Sequence, residues 1–259
     1  MRELKMQTRA RQKPWFMLYG GRFPGNEPCF YNPEEFAWVR TLEDNWLVMQ
    51  QEILSLLERR QERLKPYFNK VMVFPPKKWK TLGFYFWKYK IHANCKDCPE
   101  TTRILESIPN MTAGSLSVLE PGSNINPHQG DTNAIIRVHL GLSIPAPLPA
   151  CGFQVGKEVR EWKEGKALLF CDAHTHTAWN QTDLRRLVLI VDVMRPDFAR
   201  ETNAICSHVL ASTFLQMAYQ RFSWLNRLPG RVKYFIHFIS RLFIRALLPI
   251  QRRAAFLFS

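Results

Sequence analysis

Asp183-Leu-Arg-Arg-Leu-Val-Leu-Ile-Val-Asp-Val193 is the stretch that decides the fold. In an extended chain successive side chains point to opposite faces. Leu187, Leu189, Val191 and Val193 therefore make one wholly aliphatic face, and Arg186, Val188, Ile190 and Asp192 make the other. One face belongs in a core, while the other begins with a cation. Similar short apolar runs separated by Gly, Pro and Asn recur from Phe84 onward, at 116–119, 135–142 and 167–170. Several short strands at such spacing predict an antiparallel sandwich or barrel.

The flanking segments read as helix. Upstream, Asn32-Pro-Glu-Glu has the form of an N-cap followed by Pro at the first helical position. From there to about residue 63, Phe36, Val39, Leu42, Trp46, Met49, Ile53 and Leu56 recur near a 3.6 period, predicting one or two helices that stop before Pro66. Downstream, Val232, Phe235, Ile236, Ile239, Leu242, Phe243, Ala246 and Leu247 form a second stripe, with Arg231, Arg241 and Arg245 beside it. The organisation read from the chain is a flexible basic segment at 1–13, a barrel domain with packed N-terminal helices at 14–198, and a basic amphipathic helical extension at 199–259.

The 259 residues are 46% hydrophobic and 13% aromatic, which excludes a disordered polar chain. Lys and Arg number 36 against 22 acidic residues, a formal charge of +14, so anionic partners are expected. The charge is concentrated in the last quarter: after Glu201 there is no Asp or Glu, yet Arg221, Arg227, Arg231, Lys233, Arg241, Arg245, Arg252 and Arg253 follow. The tail reads either as a helix pair covering the barrel or as an interfacial helix with its arginines on anionic headgroups. No nucleic-acid-binding module accompanies the charge, so nucleic acid is not an expected partner. The six cysteines are dispersed, which suits a reducing compartment. Cys95-Lys-Asp-Cys98 has no second CxxC to complete a zinc module. No secretory h-region and no run of 18 uncharged apolar residues is visible, giving the expectation of a cytoplasmic protein, peripheral on a membrane if the tail binds one.

Two of the seven histidines stand out. His128 lies in a polar loop leading into the strand with Arg137 and His139, and His176 enters the strand that contains Arg186. Either histidine alone reads as a polar surface residue. Together they offer what a non-haem iron oxygenase needs, namely imidazole ligands on one side of a metal whose other positions stay open. An arginine about ten residues beyond the second histidine, on the same wall, is placed to grip a dicarboxylate through a bidentate pair.

The segment Pro127-His-Gln-Gly-Asp-Thr-Asn-Ala-Ile-Ile-Arg-Val-His-Leu-Gly-Leu-Ser-Ile-Pro145 resembles the central signature of the aspartyl/asparaginyl β-hydroxylase family. Trp162-Lys-Glu-Gly-Lys-Ala-Leu-Leu-Phe, His176-Thr-Ala-Trp and Arg186-Leu-Val-Leu-Ile-Val-Asp-Val extend the likeness, which covers roughly residues 79–196. The resemblance implies a double-stranded β-helix, a jelly-roll or cupin-like barrel, and an Fe(II)- and 2-oxoglutarate-dependent dioxygenase. By position it implies that His128 and His176 are the iron ligands. Arg186 with Ser117 would hold the far carboxylate of 2-oxoglutarate, Arg137, Val138 and His139 would lie near its other end, and Trp79 would stand at the pocket wall.

Many Fe(II) oxygenases place Asp or Glu two residues after the first histidine, where this chain has Gly130. That glycine is a mark of the resembled family, whereas related lipid A hydroxylases tend to be acidic there. Asp131, one position further, would face away on a strand. His174 competes with His176, and Cys171 and Asp172 fall where the family places acidic residues near the pocket. Gly130 thus points to the β-carbon of an aspartyl or asparaginyl side chain in a peptide or small conjugate. The basic tail points instead to the acyl chain of a lipid of the lipid A or ornithine lipid type.

Overall fold

The structure is a computed structural model that describes residues 13–253. The expected basic N-terminal segment lies outside the described residues except for Lys13. The chain runs through β1 (Phe30–Tyr31), α1 (Trp38–Asp44), α2 (Trp46–Arg59), β2 (Lys65–Pro66), β3 (Val73–Phe74), β4 (Trp79–Phe86) and β5 (Tyr89–Lys90). Then come α3 (His92–Asp97), α4 (Pro99–Ser107), β6 (Met111–Leu119), β7 (Ser123–His128), β8 (Ile135–Ser143), β9 (Cys151–Val155) and β10 (Glu158–Arg160). It ends with β11 (Ala167–Phe170), β12 (His176–Asn180), β13 (Arg186–Met194), α5 (Thr202–Arg221) and α6 (Gly230–Arg253).

All strand pairs are antiparallel, in one sheet ordered β1-β11-β8-β13-β6-β4-β2, with β5 on β4, and a second ordered β10-β9-β12-β7-β3. From β6 to β13 the chain passes back and forth between the two sheets, which is the winding of a double-stranded β-helix. The alternation in β13 accounts for its central place. Leu187, Leu189, Val191 and Val193 join Leu116, Val118, Val138 and Leu140 in a core that Met49, Ile53 and Leu56 of α2 and Ile104 and Leu105 of α4 cover from outside. Val188 and Ile190 look the other way, into a barrel interior built around Phe153, Phe170, Leu119 and Ile125.

Two local expectations are adjusted. The Asn32 cap forms, its side chain accepting from the Glu34 amide at 3.2 Å, but it opens only a 3-10 turn, Pro33–Glu35, because Phe36 is extended. The helices proper start at Trp38 and Trp46, and α2 ends at Arg59, well short of Pro66, which pairs with Lys80 in the sheet. Cys95 and Cys98 are buried free thiols whose sulfurs face the backbone carbonyls of Phe84 and Glu52, so the CxxC belongs to packing.

The C-terminal helices pack on the barrel through α5, whose Ile205, Cys206, Val209 and Leu210 meet Trp87, Ile135, Met194 and Phe198. α6 lies on α5 and β5. The stripe read as a possible cover for the barrel does not cover it: Val232, Phe235, Ile239, Leu242, Phe243 and Leu247 are exposed. The side turned inward carries His237, Leu248 and Gln251. Polar bonds hold it there, since the His237 ring meets Ser212 Oγ at 3.1 Å and Gln251 bonds both the amide and the carbonyl of Lys90, at 3.0 and 2.7 Å.

Under that contact His208 stacks on Phe16 with ring centroids 3.9 Å apart and meets His237 edge-on at 4.6 Å. Its Nε2 is buried without a partner. Burial first, then His237 and the Arg241 cation, push its pKa down to about 4. In the unfolded chain the imidazole titrates near its ordinary value of about 6.5, so between these limits the unfolded state binds more protons and stability falls as pH falls. Thermal unfolding followed from pH 7 to 4.5 should therefore show a declining Tm, and His208→Phe should make that decline shallower; equal slopes for the two proteins would refute the assignment.

Candidate functional site

β7 and β12 are neighbours in the second sheet, and their register sets His128 directly opposite His176. The two rings lie 4.2 Å apart between centroids. Each Nδ1 is engaged with the carbonyl two residues earlier in its own chain, His128 with Asn126 at 2.8 Å and His176 with His174 at 2.9 Å. With Nδ1–H donated to a carbonyl, the neutral ring keeps its free lone pair on Nε2, the tautomer and orientation of a metal-ligating histidine. Burial is the largest influence holding both rings neutral: it lowers the His128 pKa and lowers that of His176 well below the ordinary range, where the neighbouring His128 adds to it.

The cavity that receives them is lined by Trp79, Ser117, Arg137, His139 and Arg186, among others. Seven of the eight residues expected at the site thus converge. Val138 does not bring its side chain there; it alternates to the other face of β8 and packs in the outer core. His174 turns away as well, bonding the carbonyl of Glu27 at 2.7 Å and meeting Phe23 edge-on.

Arg186, the first residue of β13, is 1% exposed. Its Nη1 reaches the carbonyl and hydroxyl of Ser117 at 3.3 and 3.4 Å, and Trp79 Nε1 donates to the same hydroxyl at 3.0 Å. The guanidinium stacks over Trp162, 4.7 Å from the ring centre, and its Nε has no partner. Among the described residues no carboxylate pairs with it, and burial lowers its pKa to about 10. A buried cation without a counterion is costly, on the order of several kcal/mol, unless a ligand supplies the anion.

Arg137 is the opposite case. Its Nε and Nη2 grip both oxygens of Asp192 at 2.7 Å each, and its Nη1 donates to Asp172 Oδ1 at 2.6 Å. The buried carboxylates raise its pKa further, against the effect of burial. His139 is buried and accepts from Trp162 Nε1 at 3.3 Å; burial first, then Arg186 and Arg137, hold it neutral.

Asp172, which the resemblance set near the pocket without a role, is the other charged group of the site. Its side chain is fully buried and one oxygen lies 3.6 Å from His176 Nε2, while Oδ2 has no partner. The same group explains Gly130. A Cβ built at residue 130 would stand 1.5 Å from Asp172 Oδ2 and 2.0 Å from its Cγ, while the Gly130 amide donates to the Asp172 carbonyl at 2.7 Å. The space a side chain at 130 would fill is thus taken by a carboxylate delivered from 42 residues further along. A signal existed in Asp172 preceding His176 by four residues, but nothing in the linear order tied it to Gly130. Among the described residues no three His, Cys, Asp or Glu side chains converge as a ready metal cage. The site offers two imidazoles with a buried carboxylate beside them.

A barrel of this winding thus holds two paired imidazoles and a buried arginine with no carboxylate partner among the described residues in one cavity. Comparison with known proteins shows the family. The sequence model described as Aspartyl/Asparaginyl beta-hydroxylase matches residues 43–196, and the chain belongs to this family. It is 35% identical over 177 residues to the ornithine lipid ester-linked acyl 2-hydroxylase of Rhizobium tropici, covering 66% of this chain and 62% of that protein. It is 31% identical over 178 residues to the human aspartyl/asparaginyl beta-hydroxylase, covering 65% of this chain and 23% of that protein. With the mouse aspartate beta-hydroxylase domain-containing protein 2 the identity is 33% over 205 residues, 69% of this chain and 59% of the other. The chain thus spans less than two thirds of the length of these relatives. Solved structures align distantly, as with AviO1 of Streptomyces viridochromogenes at TM-score 0.40 and 12% identity, covering 59% of this chain and 85% of that one.

The packing around Gly130 yields a direct test. Because Arg137 pins Asp172, a methyl group at 130 has no easy way to displace it, and overpacking of this kind costs about 1–3 kcal/mol. Gly130→Ala should be destabilised by that amount in urea unfolding, and Gly130→Asp by more; wild-type stability in both would show that Asp172 does not fill the space.

Proposed function

We propose that the chain is an iron(II)- and 2-oxoglutarate-dependent dioxygenase that hydroxylates an unactivated C–H bond. The observation that carries this is Arg186, a buried guanidinium with no carboxylate partner among the described residues, in the same cavity as two imidazoles with free Nε2 atoms. His128 and His176 would hold the metal, and Asp172 sets negative charge beside them, which favours a divalent cation. Arg186 and the Ser117 hydroxyl would hold the distal carboxylate, with Trp79 fixing Ser117 by its indole N–H. Phe153 lines the cavity, and Trp162 packs behind His139 and Phe153. When bound, iron(II) and 2-oxoglutarate supply the oxidation, with dioxygen consumed and succinate and carbon dioxide released. The side chains contribute position and charge, and none is assigned as a general acid or base.

For the substrate, the acyl chain of a membrane lipid is the reading we favour. The outward apolar side of α6 supports it, as does the likeness to a lipid acyl 2-hydroxylase. The β-carbon of an aspartyl or asparaginyl side chain is the second reading, supported by Gly130 and by the relatives that carry that name. Lipid and peptide extracts from cells with and without the chain, compared by mass spectrometry for the gain of one oxygen atom, separate the two.

For the site itself, His176→Ala should abolish iron-dependent conversion of 2-oxoglutarate to succinate. Arg186→Lys replaces a planar fork with a point charge. Losing a charge-assisted bond of about 1.5–3 kcal/mol should raise the 2-oxoglutarate concentration for half-maximal turnover about 10- to 100-fold. Unchanged turnover in both variants would overturn the proposal.

A further inference from the structure

α6 turns a broad apolar side outward. Its buried or half-buried side mixes Lys233, His237, Ser240, Arg241 and Gln251 with Ile236, Ile244 and Leu248, the last two packed on the cluster beneath α5. Val232, Phe235, Phe238, Ile239, Leu242 and Phe243 lie on the exposed side, with Phe235 and Phe243 63% and 65% exposed. At about 100° per residue these six fall within roughly half of the helix circumference. From Val232 to Phe243 the strip runs about 17 Å along the helix axis, far more than a scattered surface leucine. No helix among the described residues is long and apolar enough to cross a membrane.

The charge around the strip identifies its occupant. Arg231 and Arg245 are exposed along one edge, and Arg241 stacks on Phe238 at 5.5 Å. Arg221 and Arg227 are exposed in the segment that leads into the helix, where Phe222 and Trp224 are exposed as well. No acidic residue occurs after Glu201 to oppose them. An anionic bilayer answers both features, the acyl boundary taking the aromatic side chains and the headgroups taking the arginines.

We propose that α6 docks the protein on anionic phospholipid bilayers, lying in the plane of the interface with Phe235, Leu242 and Phe243 inserted. The docking rests on the helix and not on which substrate the cavity takes, so it is measured without iron or 2-oxoglutarate. The full chain is sedimented with vesicles of phosphatidylcholine alone and with vesicles containing about one third phosphatidylglycerol, at low and high salt. The expected result is co-sedimentation with the anionic vesicles, weakened by salt, and little with the neutral ones. Phe235→Asp/Phe243→Asp should lower the apparent affinity at least about 10-fold with unchanged far-UV circular dichroism, because both side chains are already in solvent. Arg231→Glu/Arg245→Glu should remove the preference for anionic vesicles. The proposal is overturned if the wild-type chain stays in the supernatant or if both double variants sediment like it. It is equally overturned if sedimentation velocity shows a dimer that Phe235→Asp/Phe243→Asp converts to monomer, since the strip then serves a second copy of the chain.

Discussion

The structure around the site depends on one cation, Arg137. It stands on β8, grips Asp192 of the adjacent β13 with two nitrogens, and reaches Asp172 in the turn before β12 with a third. A single guanidinium thereby ties a strand pair of the larger sheet to the segment that enters the smaller one. Planar, five-donor geometry is what makes this possible, and a lysine could not do it. Both carboxylates are almost wholly buried, so removing the arginine would leave uncompensated charge, which costs about 3–5 kcal/mol in comparable buried pairs. Asp172 in turn occupies the space beside Gly130, so the ionic contact also dictates which residue can follow His128 by two positions.

The two arginines of the cavity show why position in sequence does not state a role. Arg137 and Arg186 both stand on barrel strands and both follow a histidine by about ten residues. One is saturated by carboxylates from the chain itself, and the other has a hydroxyl, a carbonyl and an indole face but, among the described residues, no anion. The resemblance set Arg137 beside the cosubstrate. It does line the cavity, and its bonds also position Asp172 next to His176, while Arg186 has the unmet charge that a ligand would answer.

The barrel was legible because alternation in β13 is strict and both of its faces are buried against different things, which leaves the register little freedom. His128, His176 and Arg186 were drawn together by their spacing and by the resemblance, and His128, read as a loop residue, ends β7. The partners of Asp172 were not legible, because it sits in a turn whose backbone has no period to read, and Arg137 and Gly130 are 35 and 42 residues away. The orientation of α6 was not legible either. An apolar stripe says that one side of a helix avoids water, but not whether protein or something else covers it. Here His237 and Gln251, two residues a periodicity argument discounts, fix the inner side by bonding α5 and β5.

The charges of the cavity also bear on what it can hold. Arg137 and Arg186 bring two positive charges, and Asp172 and Asp192 bring two negative ones, with the three site histidines held neutral by burial. Asp131, outside the cavity lining, has its carboxyl pushed up to about 7 by burial and by Asp172. The site is thus close to balanced as it stands, and a divalent cation alone or a dicarboxylate alone would each leave two charges unanswered in a poorly solvated space. Together they restore the balance. In a low-dielectric cavity that difference is large, so each ligand should strengthen the binding of the other. For the proposed metal and cosubstrate, cooperation would follow from the same burial that keeps the imidazoles neutral and leaves Arg186 with no carboxylate partner among the described residues.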